Sequence, residues 1–178
     1  MPSRTPNPSA APVRGLWFEA YEPGLAFASP GRTLTEADLV LFAGLSGDLT
    51  SLHTDEEHAR RTPFRTRIAH GMLVQSIATG LAHRTGIFEG TLRALPAMEI
   101  RWKSPAFPGD TLRLLLEVAR LDPRPSRRSG RVYFDATVRN QKDQVVSEGS
   151  WEVVVLRDPG RDPEPEPPAA RDPEPSRA

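Results

Sequence analysis

The sequence predicts an α+β fold in which one antiparallel sheet curls around a single apolar helix. The helix is expected over residues 71–82 (GMLVQSIATGLA), because this segment carries no charged side chain and so has no face suited to water. The sheet is expected in the second half of the chain, where apolar and polar residues alternate in segments joined by short connections. Short connections favour antiparallel neighbours, since parallel strands need crossovers of about a dozen residues or more.

Both ends of the 178-residue chain differ in composition from its middle. Residues 1–13 are rich in proline and small polar residues, and residues 157–178 combine many prolines with mixed charge. Neither end can bury enough apolar surface to offset the entropy of ordering, so we expect disordered tails over both ranges. The remaining residues 14–156 have a length that suits one domain with a sizeable core.

Charge and cysteine content argue against several function classes. The 23 basic and 23 acidic residues balance, which gives no reason to expect binding to nucleic acid or to a membrane surface. The chain has no cysteine, so disulfides and thiolate chemistry are excluded. It also lacks an apolar signal region and any apolar stretch of about 18 residues, and we therefore expect a cytoplasmic protein.

The first half of the domain predicts short elements. The aromatic segment 16–22 is expected as a short strand or entry segment that ends at a Pro-Gly pair. Thr35, with Asp38 three residues later, resembles a capping box and predicts the start of a helix. Residues 55–61 (DEEHARR) predict a solvated helix, because acidic residues come first and basic residues last, as the helix dipole prefers.

The second half of the domain predicts four strands. Their β-branched and aromatic content and their alternation are typical of half-buried strands. The predicted strands are residues 97–103, 111–121, 131–139 and 145–156. Between the first two, residues 105–110 (PAFPGD) predict a turn.

Asp48 and His53 are the candidate catalytic residues that the sequence singles out. On a regular helix two residues five positions apart lie about 140° apart, and on a strand they lie on opposite faces. The residues Ser46 and Gly47 before Asp48 supply turn chemistry that can bring the two side chains together at the mouth of the buried helix. An aspartate and a histidine in a loop also suit a helix cap or a surface hydrogen bond.

Three segments in the same order resemble the MaoC-like dehydratases, the (R)-specific enoyl-CoA hydratase family. They are FAGLSGDLTSLH at residues 42–53, the TPF…RIAHGML junction at 62–73, and MEIRWKSPAFPGDTL at 98–112. The resemblance implies the single hot dog fold, in which an antiparallel sheet wraps around a long central helix. It also implies a homodimer in which two sheets pair edge to edge.

The resemblance implies roles for four residues. Asp48 and His53 match the family's catalytic pair, which holds and activates a water. Gly71 matches the residue whose backbone N–H points at the thioester carbonyl, where a glycine lets the backbone approach the substrate closely. Ser76 matches a serine that supports the pair by hydrogen bonding, although a serine on a helix can also bond back to the carbonyl four residues earlier. His70 is expected to orient the loop or to cap the helix and lies outside this set.

The implied activity is reversible hydration of 2-enoyl-CoA thioesters to (R)-3-hydroxyacyl-CoA. The partner is an acyl-CoA or acyl-carrier thioester, so coenzyme A is part of the substrate and no further cofactor is expected. No metal is expected either, because the histidines lack the spacing of metal ligands. Basic residues near the site are candidates for contact with CoA phosphates, or else solvated surface charges. These residues are Arg65, Arg67 and Lys103.

One departure from the family pattern keeps alternatives open. Thr50 and Ser51 stand where the family usually has Asn-Pro, so the turn before His53 differs in stiffness and hydrogen bonding. A dehydratase for a branched or dicarboxylic acyl-CoA of the mesaconyl type is one alternative. A hot-dog thioesterase and a non-catalytic acyl-binding partner subunit are the others.

Overall fold

The computed structural model describes residues 14–126 and 128–161. Residues 1–13, predicted as a tail, and 162–178 lie outside the described part of the chain. The elements in chain order are a 3-10 helix (Phe18–Ala20), β1 (Ala26–Ala28), β2 (Arg32–Thr33), α1 (Glu36–Ser46), α2 (Ser51–Thr54), α3 (Glu56–Ala59), α4 (Gly71–His83), β3 (Leu92–Trp102), β4 (Thr111–Ser126), β5 (Ser129–Arg139) and β6 (Val145–Leu156). Among the described residues, none of these helices has the length and apolar character needed to cross a bilayer.

The strands form one antiparallel sheet in the order β1-β4-β5-β6-β3, and β2 also pairs with β4. The three long strands β4, β5 and β6 make its centre, where Phe134 lies opposite Val118 on one side and opposite Trp151 on the other. All three side chains are buried. The structure thus confirms the predicted α+β class and its antiparallel connectivity.

The helix α4 packs its apolar side into this sheet. Leu73, Val74, Ile77, Ala78 and Leu81 are buried and belong to one hydrophobic core together with residues of β4, β5 and β6. The prediction of a helix covered all round is only partly right within this chain. One strip without Asp, Glu, Lys or Arg remains exposed, and its members are Met72, Ser76, Thr79, Gly80 and His83.

Several predicted elements differ in the structure, and one of them is β4, which extends to Ser126 instead of ending at residue 121. Residues 16–22, predicted as a short strand or an entry segment, contain a 3-10 turn and no strand, because Phe18 turns inward and packs where Gly130 has no side chain. Strand β3 begins five positions earlier than predicted, at Leu92, with register shifts against β6 between Leu92 and Ala97. The shifts surround Pro96, which has no N–H for a ladder bond and is tolerated on an edge strand.

The chain stays in contact with the domain beyond the predicted boundary at residue 156. The Arg157 guanidinium lies over the Phe18 ring, 4.7 Å from its centroid, and donates to Glu19 at 2.9 Å. The backbone N–H of Asp158 also donates to Glu19. An ion pair and a cation–π contact thus hold Arg157, the first residue of the predicted C-terminal tail, against the domain.

Helix α1 begins at the predicted capping box. The Thr35 hydroxyl accepts from the Asp38 N–H at 3.3 Å, and the Asp38 carboxylate accepts from the Thr35 N–H at 2.8 Å. Both bonds use groups that have no partner within the helix. The cap fixes the start of the helix whose far end leads directly into Asp48.

The cap predicts a measurable stability difference. Thr35→Ala removes the acceptor for the Asp38 N–H and should lower the free energy of unfolding by about 1 kcal/mol. Urea denaturation of the purified protein measures this loss. Thr35→Ser keeps the hydroxyl and is the matched control, and equal midpoints for the two variants would contradict the assignment.

Candidate active site

A cavity of about 710 Å³ opens at the N-terminus of α4. Its volume falls within the range of about 300–1,000 Å³ that small-molecule sites occupy. Most of its lining is apolar, and these residues are Phe42, Phe64, Ile68, Ala69, Met72, Val74, Trp102, Pro105, Ala106 and Val146. The polar lining includes Ser46, Lys103 and Ser104 together with Asp48, His53 and His70, and the last three lie close to one another.

A left-handed residue at the end of α1 directs Asp48 to the cavity. Gly47 has φ of 73°, which glycine adopts without steric cost, and its N–H closes the helix on the Ala43 carbonyl at 2.9 Å. The Asp48 N–H then donates to the Ser46 hydroxyl at 3.1 Å. This is the irregular turn that the sequence predicts between the candidate residues.

Thr50 holds the Asp48 carboxylate. Its hydroxyl donates to Oδ1 at 2.6 Å, and its backbone N–H donates to the same oxygen at 3.2 Å. These two bonds, the hydroxyl bond first, hold the pKa of Asp48 below its usual value, because both favour the ionised form. Both bonds go to Oδ1, so Oδ2 remains available to a water or ligand.

His53 lies on α2, a single helical turn, with its ring orientation set by the backbone. Nδ1 is 2.8 Å from the Ile68 carbonyl oxygen. Because a carbonyl only accepts, Nδ1 carries the hydrogen and Nε2 presents a lone pair in the neutral ring. The Asp48 and His53 ligand atoms lie within 4.8 Å of each other. The structure thus brings together the two residues that the sequence singles out.

His70 contacts both members of this pair, although the sequence predicts no catalytic role for it. Its ring is only 2% exposed and stacks on the His53 ring, with centroids 3.9 Å apart. Nε2 is 3.0 Å from the Asp48 carbonyl oxygen and therefore donates to it. Its Nδ1 is buried without a hydrogen-bond partner among the described residues.

The bond from His70 to the Asp48 carbonyl supports the prediction that His70 orients the loop. His70 also occupies the N-cap position of α4, but its side chain makes no capping hydrogen bond. Among the described residues, no side chain caps the N-terminus of α4. The signal for a closer role was present in the sequence, because His70 directly precedes Gly71 in the RIAHGML junction. Sequence spacing alone did not reveal that its ring would stack on His53.

Asp48, His53 and His70 also form a group close enough to hold a metal ion, with candidate ligand atoms within 4.8 Å of one another. The two imidazole rings are stacked, with an interplanar angle of 30°. A shared ion would have to lie near both ring planes, which stacked rings do not allow without rotation. One nitrogen of each ring is already committed to a backbone carbonyl. The arrangement does not fit a metal centre.

Gly71 begins α4 and lines the cavity, as expected. The first N–H groups of a helix have no partner within it, so this end presents free donors and the positive end of the helix dipole. Because Gly71 has no side chain, the ring of Trp102 can lie close to its Cα, and a ligand can approach the backbone there. A Cβ atom built there would lie 2.5 Å from Nε1 of Trp102.

Ser76 does not support the pair in this structure. Its hydroxyl donates to the Met72 carbonyl at 2.9 Å, which is the alternative that a helical serine allows. The side chain lies on the exposed strip of α4 and outside the cavity lining. The implied hydrogen bond to Asp48 or His53 is therefore absent from the described chain.

The candidate phosphate-binding cations differ in their surroundings. Arg67 donates to Glu36 at 2.8 Å and to Glu56 at 3.3 Å, so its guanidinium joins α1 to α3. Lys103 lines the cavity and pairs with Glu148 at 3.0 Å. Arg65 is exposed and lies on a loop, where its φ is 65°.

Comparison with known proteins places the chain in a family. A family model described as the MaoC like domain matches residues 20–140. The 3-hydroxybutyryl-CoA dehydratase of Methylorubrum extorquens is 31% identical over 151 residues, which cover 85% of this chain and 91% of that protein. The (R)-specific enoyl-CoA hydratase of Rhodospirillum rubrum is 35% identical over 60% of this chain and 72% of its own length.

A third relative matches this chain over a smaller share of its own length. Protein MaoC of Klebsiella aerogenes is 38% identical over 58% of this chain, and the match spans 31% of the length of that protein. The similarity there is confined to about a third of a longer protein.

Solved structures agree with these matches. The MaoC-like dehydratase of Rhodospirillum rubrum superposes with a TM-score of 0.73 at 30% identity, over 82% of this chain and 99% of that chain. A Mycobacterium tuberculosis protein with a double hotdog fold superposes with a TM-score of 0.69 at 22% identity, over 84% of this chain and 47% of that chain. The predicted hot dog fold is confirmed, and the chain belongs to the MaoC-like domain family.

Proposed function

We propose that this protein catalyses the reversible hydration of 2-enoyl-CoA thioesters to (R)-3-hydroxyacyl-CoA. The observation that carries the proposal is the convergence of Asp48 and His53 at an apolar cavity that begins at the N-terminus of α4. The relatives named 3-hydroxybutyryl-CoA dehydratase and (R)-specific enoyl-CoA hydratase support the hydratase and dehydratase class.

The pair is arranged to hold one water. Groups within 4.8 Å of each other can both hydrogen-bond to a single water oxygen between them. The ionised Asp48 accepts one hydrogen of this water, and Nε2 of His53 takes the other as a proton. A positioned general base of this kind typically contributes about 10²–10⁴-fold to the rate.

The addition then follows from the position of this water. Its oxygen bonds to C3 while its proton moves to His53, and the electron pair of the double bond moves towards the thioester oxygen. A proton then passes from the pair to C2, so that H and OH have been added across the double bond. In the reverse direction the same groups remove water from a 3-hydroxyacyl thioester.

The charge that develops on the thioester oxygen needs a donor, and the Gly71 N–H is the candidate. It lies at the uncapped start of a 13-residue helix, where free amides and the helix dipole both favour an anion. Removing one oxyanion donor costs on the order of 10²–10³-fold in a well-studied hydrolase.

We also propose that two copies of the chain pair through β3. In the described sheet β3 is bonded to β6 on one side only, and its eleven residues are mostly exposed. A long exposed edge with apolar side chains such as Leu92 and Leu95 is normally covered. The exposed strip of α4 is without Asp, Glu, Lys or Arg, which also suits a covered surface.

The catalytic pair is tested by hydration of crotonyl-CoA, a medium-chain 2-enoyl-CoA and mesaconyl-CoA. The wild type should give an (R)-3-hydroxyacyl product, and both Asp48→Asn and His53→Ala should lose at least about 10²-fold in kcat, because each removes a partner of the water. Asp135→Asn and His58→Gln change exposed residues of the same types and should match the wild type.

Other outcomes separate the alternatives. Release of free CoA would indicate a thioesterase, and preference for mesaconyl-CoA would indicate a dicarboxylic substrate. Wild-type rates in both Asp48→Asn and His53→Ala would refute the assigned pair.

The Thr50 hydroxyl predicts a pH effect. Thr50→Val removes the main donor that favours ionised Asp48, so the pKa of this carboxyl should rise towards its ordinary value. On acidification the variant should then lose kcat/KM at a higher pH than the wild type does. Thr50→Ser keeps a hydroxyl and should retain the wild-type pH profile. Identical acid limbs for all three proteins would contradict the role of Thr50.

The β3 pairing is tested by light scattering after size-exclusion chromatography. The wild type should elute as a dimer, whereas Leu92→Asp combined with Leu95→Asp should be monomeric, because paired copies would bury four carboxylates. Ala28→Asp alters an exposed residue of β1 at the opposite edge and should remain dimeric. A dimer that only Ala28→Asp disrupts would move the interface to β1.

A further inference from the structure

We infer that the Trp102 indole N–H is a second hydrogen-bond donor to the thioester oxygen, acting beside the Gly71 N–H. The inference rests on the proposed hydratase function and adds a residue to its site. Trp102 comes from β3, so the two donors belong to different elements of the fold.

The indole presents its N–H edge to the start of α4. A Cβ atom on Gly71 would lie 2.5 Å from Nε1, 2.7 Å from Cε2 and 3.1 Å from Cζ2 of Trp102. The ring atoms nearest to Gly71 therefore include the nitrogen. Because Gly71 has no side chain, the indole occupies the space beside its Cα and brings Nε1 next to the proposed anion site.

The indole N–H is free to donate to a ligand. In the described part of the chain it forms no hydrogen bond with a protein acceptor, and the side chain is 53% exposed and lines the cavity. An indole nitrogen is a donor only, and in a buried setting it usually finds an acceptor. A substrate that fills the cavity would exclude water from this donor and supply a carbonyl oxygen in its place.

Backbone hydrogen bonds hold the strand end that carries Trp102. Trp102 pairs with Ser147 of β6 at the last position of the β3 ladder. The next two residues, Lys103 and Ser104, both donate their N–H groups to the Val146 carbonyl, at 2.9 Å and 3.3 Å. The indole thus extends from a strand end that is anchored to β6 on both sides of its own backbone position, which favours a preorganised donor.

A second donor fits the chemistry of the step. The negative charge on the thioester oxygen grows during water addition, so a donor aimed at it stabilises the transition state more than the bound substrate. The lining around Trp102 is mostly apolar, and an apolar surround strengthens each such hydrogen bond. The indole is also neutral, so its ability to donate does not change with pH over the working range.

Trp102→Phe tests the inference, because it keeps an aromatic ring and removes the N–H. With crotonyl-CoA, kcat should fall by on the order of 10²-fold while KM stays nearly constant, as expected for a bond made mainly in the transition state. Trp17→Phe is the matched control, since Trp17 is half-buried and outside the cavity lining. It should retain the wild-type kcat.

A second measurement preserves the shape of the ring. Incorporation of 3-benzothienylalanine at position 102 replaces the N–H by sulfur and should cause the same loss in kcat. Wild-type kcat in this protein, or a rise in KM alone in Trp102→Phe, would overturn the inference and leave the hydratase function intact. A wild-type protein that hydrates no enoyl-CoA would instead refute the proposed function.

Discussion

The site depends on the burial of one uncharged helix against the sheet. α4 contributes Leu73, Val74, Ile77 and Leu81 to a core shared with three long strands, and this burial fixes where the helix begins. The start of the helix in turn places two groups that line the cavity, because Gly71 is its first residue and His70 directly precedes it. The apolar packing that stabilises the fold thus also determines the position of the polar groups.

Backbone carbonyls organise the chemistry around that helix start. The Ile68 carbonyl accepts from His53, and the Asp48 carbonyl accepts from His70, so each imidazole has a defined hydrogen-bonding nitrogen. The acidity of Asp48 is also set by a near neighbour in sequence. The hydroxyl and the backbone N–H of Thr50, two residues later, both donate to its carboxylate. The carboxylate of the pair is thus held by local bonds, whereas bonds to residues 15 and 22 positions away connect His53 and the Asp48 loop to the segment that leads into α4.

Much of the fold could be predicted from the sequence, because α4, the capping box at Thr35 and the strand alternation are local patterns. The convergence of Asp48 with His53 followed from turn chemistry and from the family resemblance. The face-on contact of His70 with His53 and the approach of Trp102 to Gly71 could not be predicted. These contacts join residues whose distance depends on how the loop, α4 and β3 pack together, and no periodicity encodes that.

The contact between Gly71 and Trp102 couples the residue types that these two positions can accept. A chain that acquires a side chain at 71 must reduce or redirect the ring at 102, and a chain that loses the indole frees space for a side chain at 71. The two residues lie 31 positions apart but share one volume. Among relatives of this domain, substitutions at these two positions should therefore co-vary.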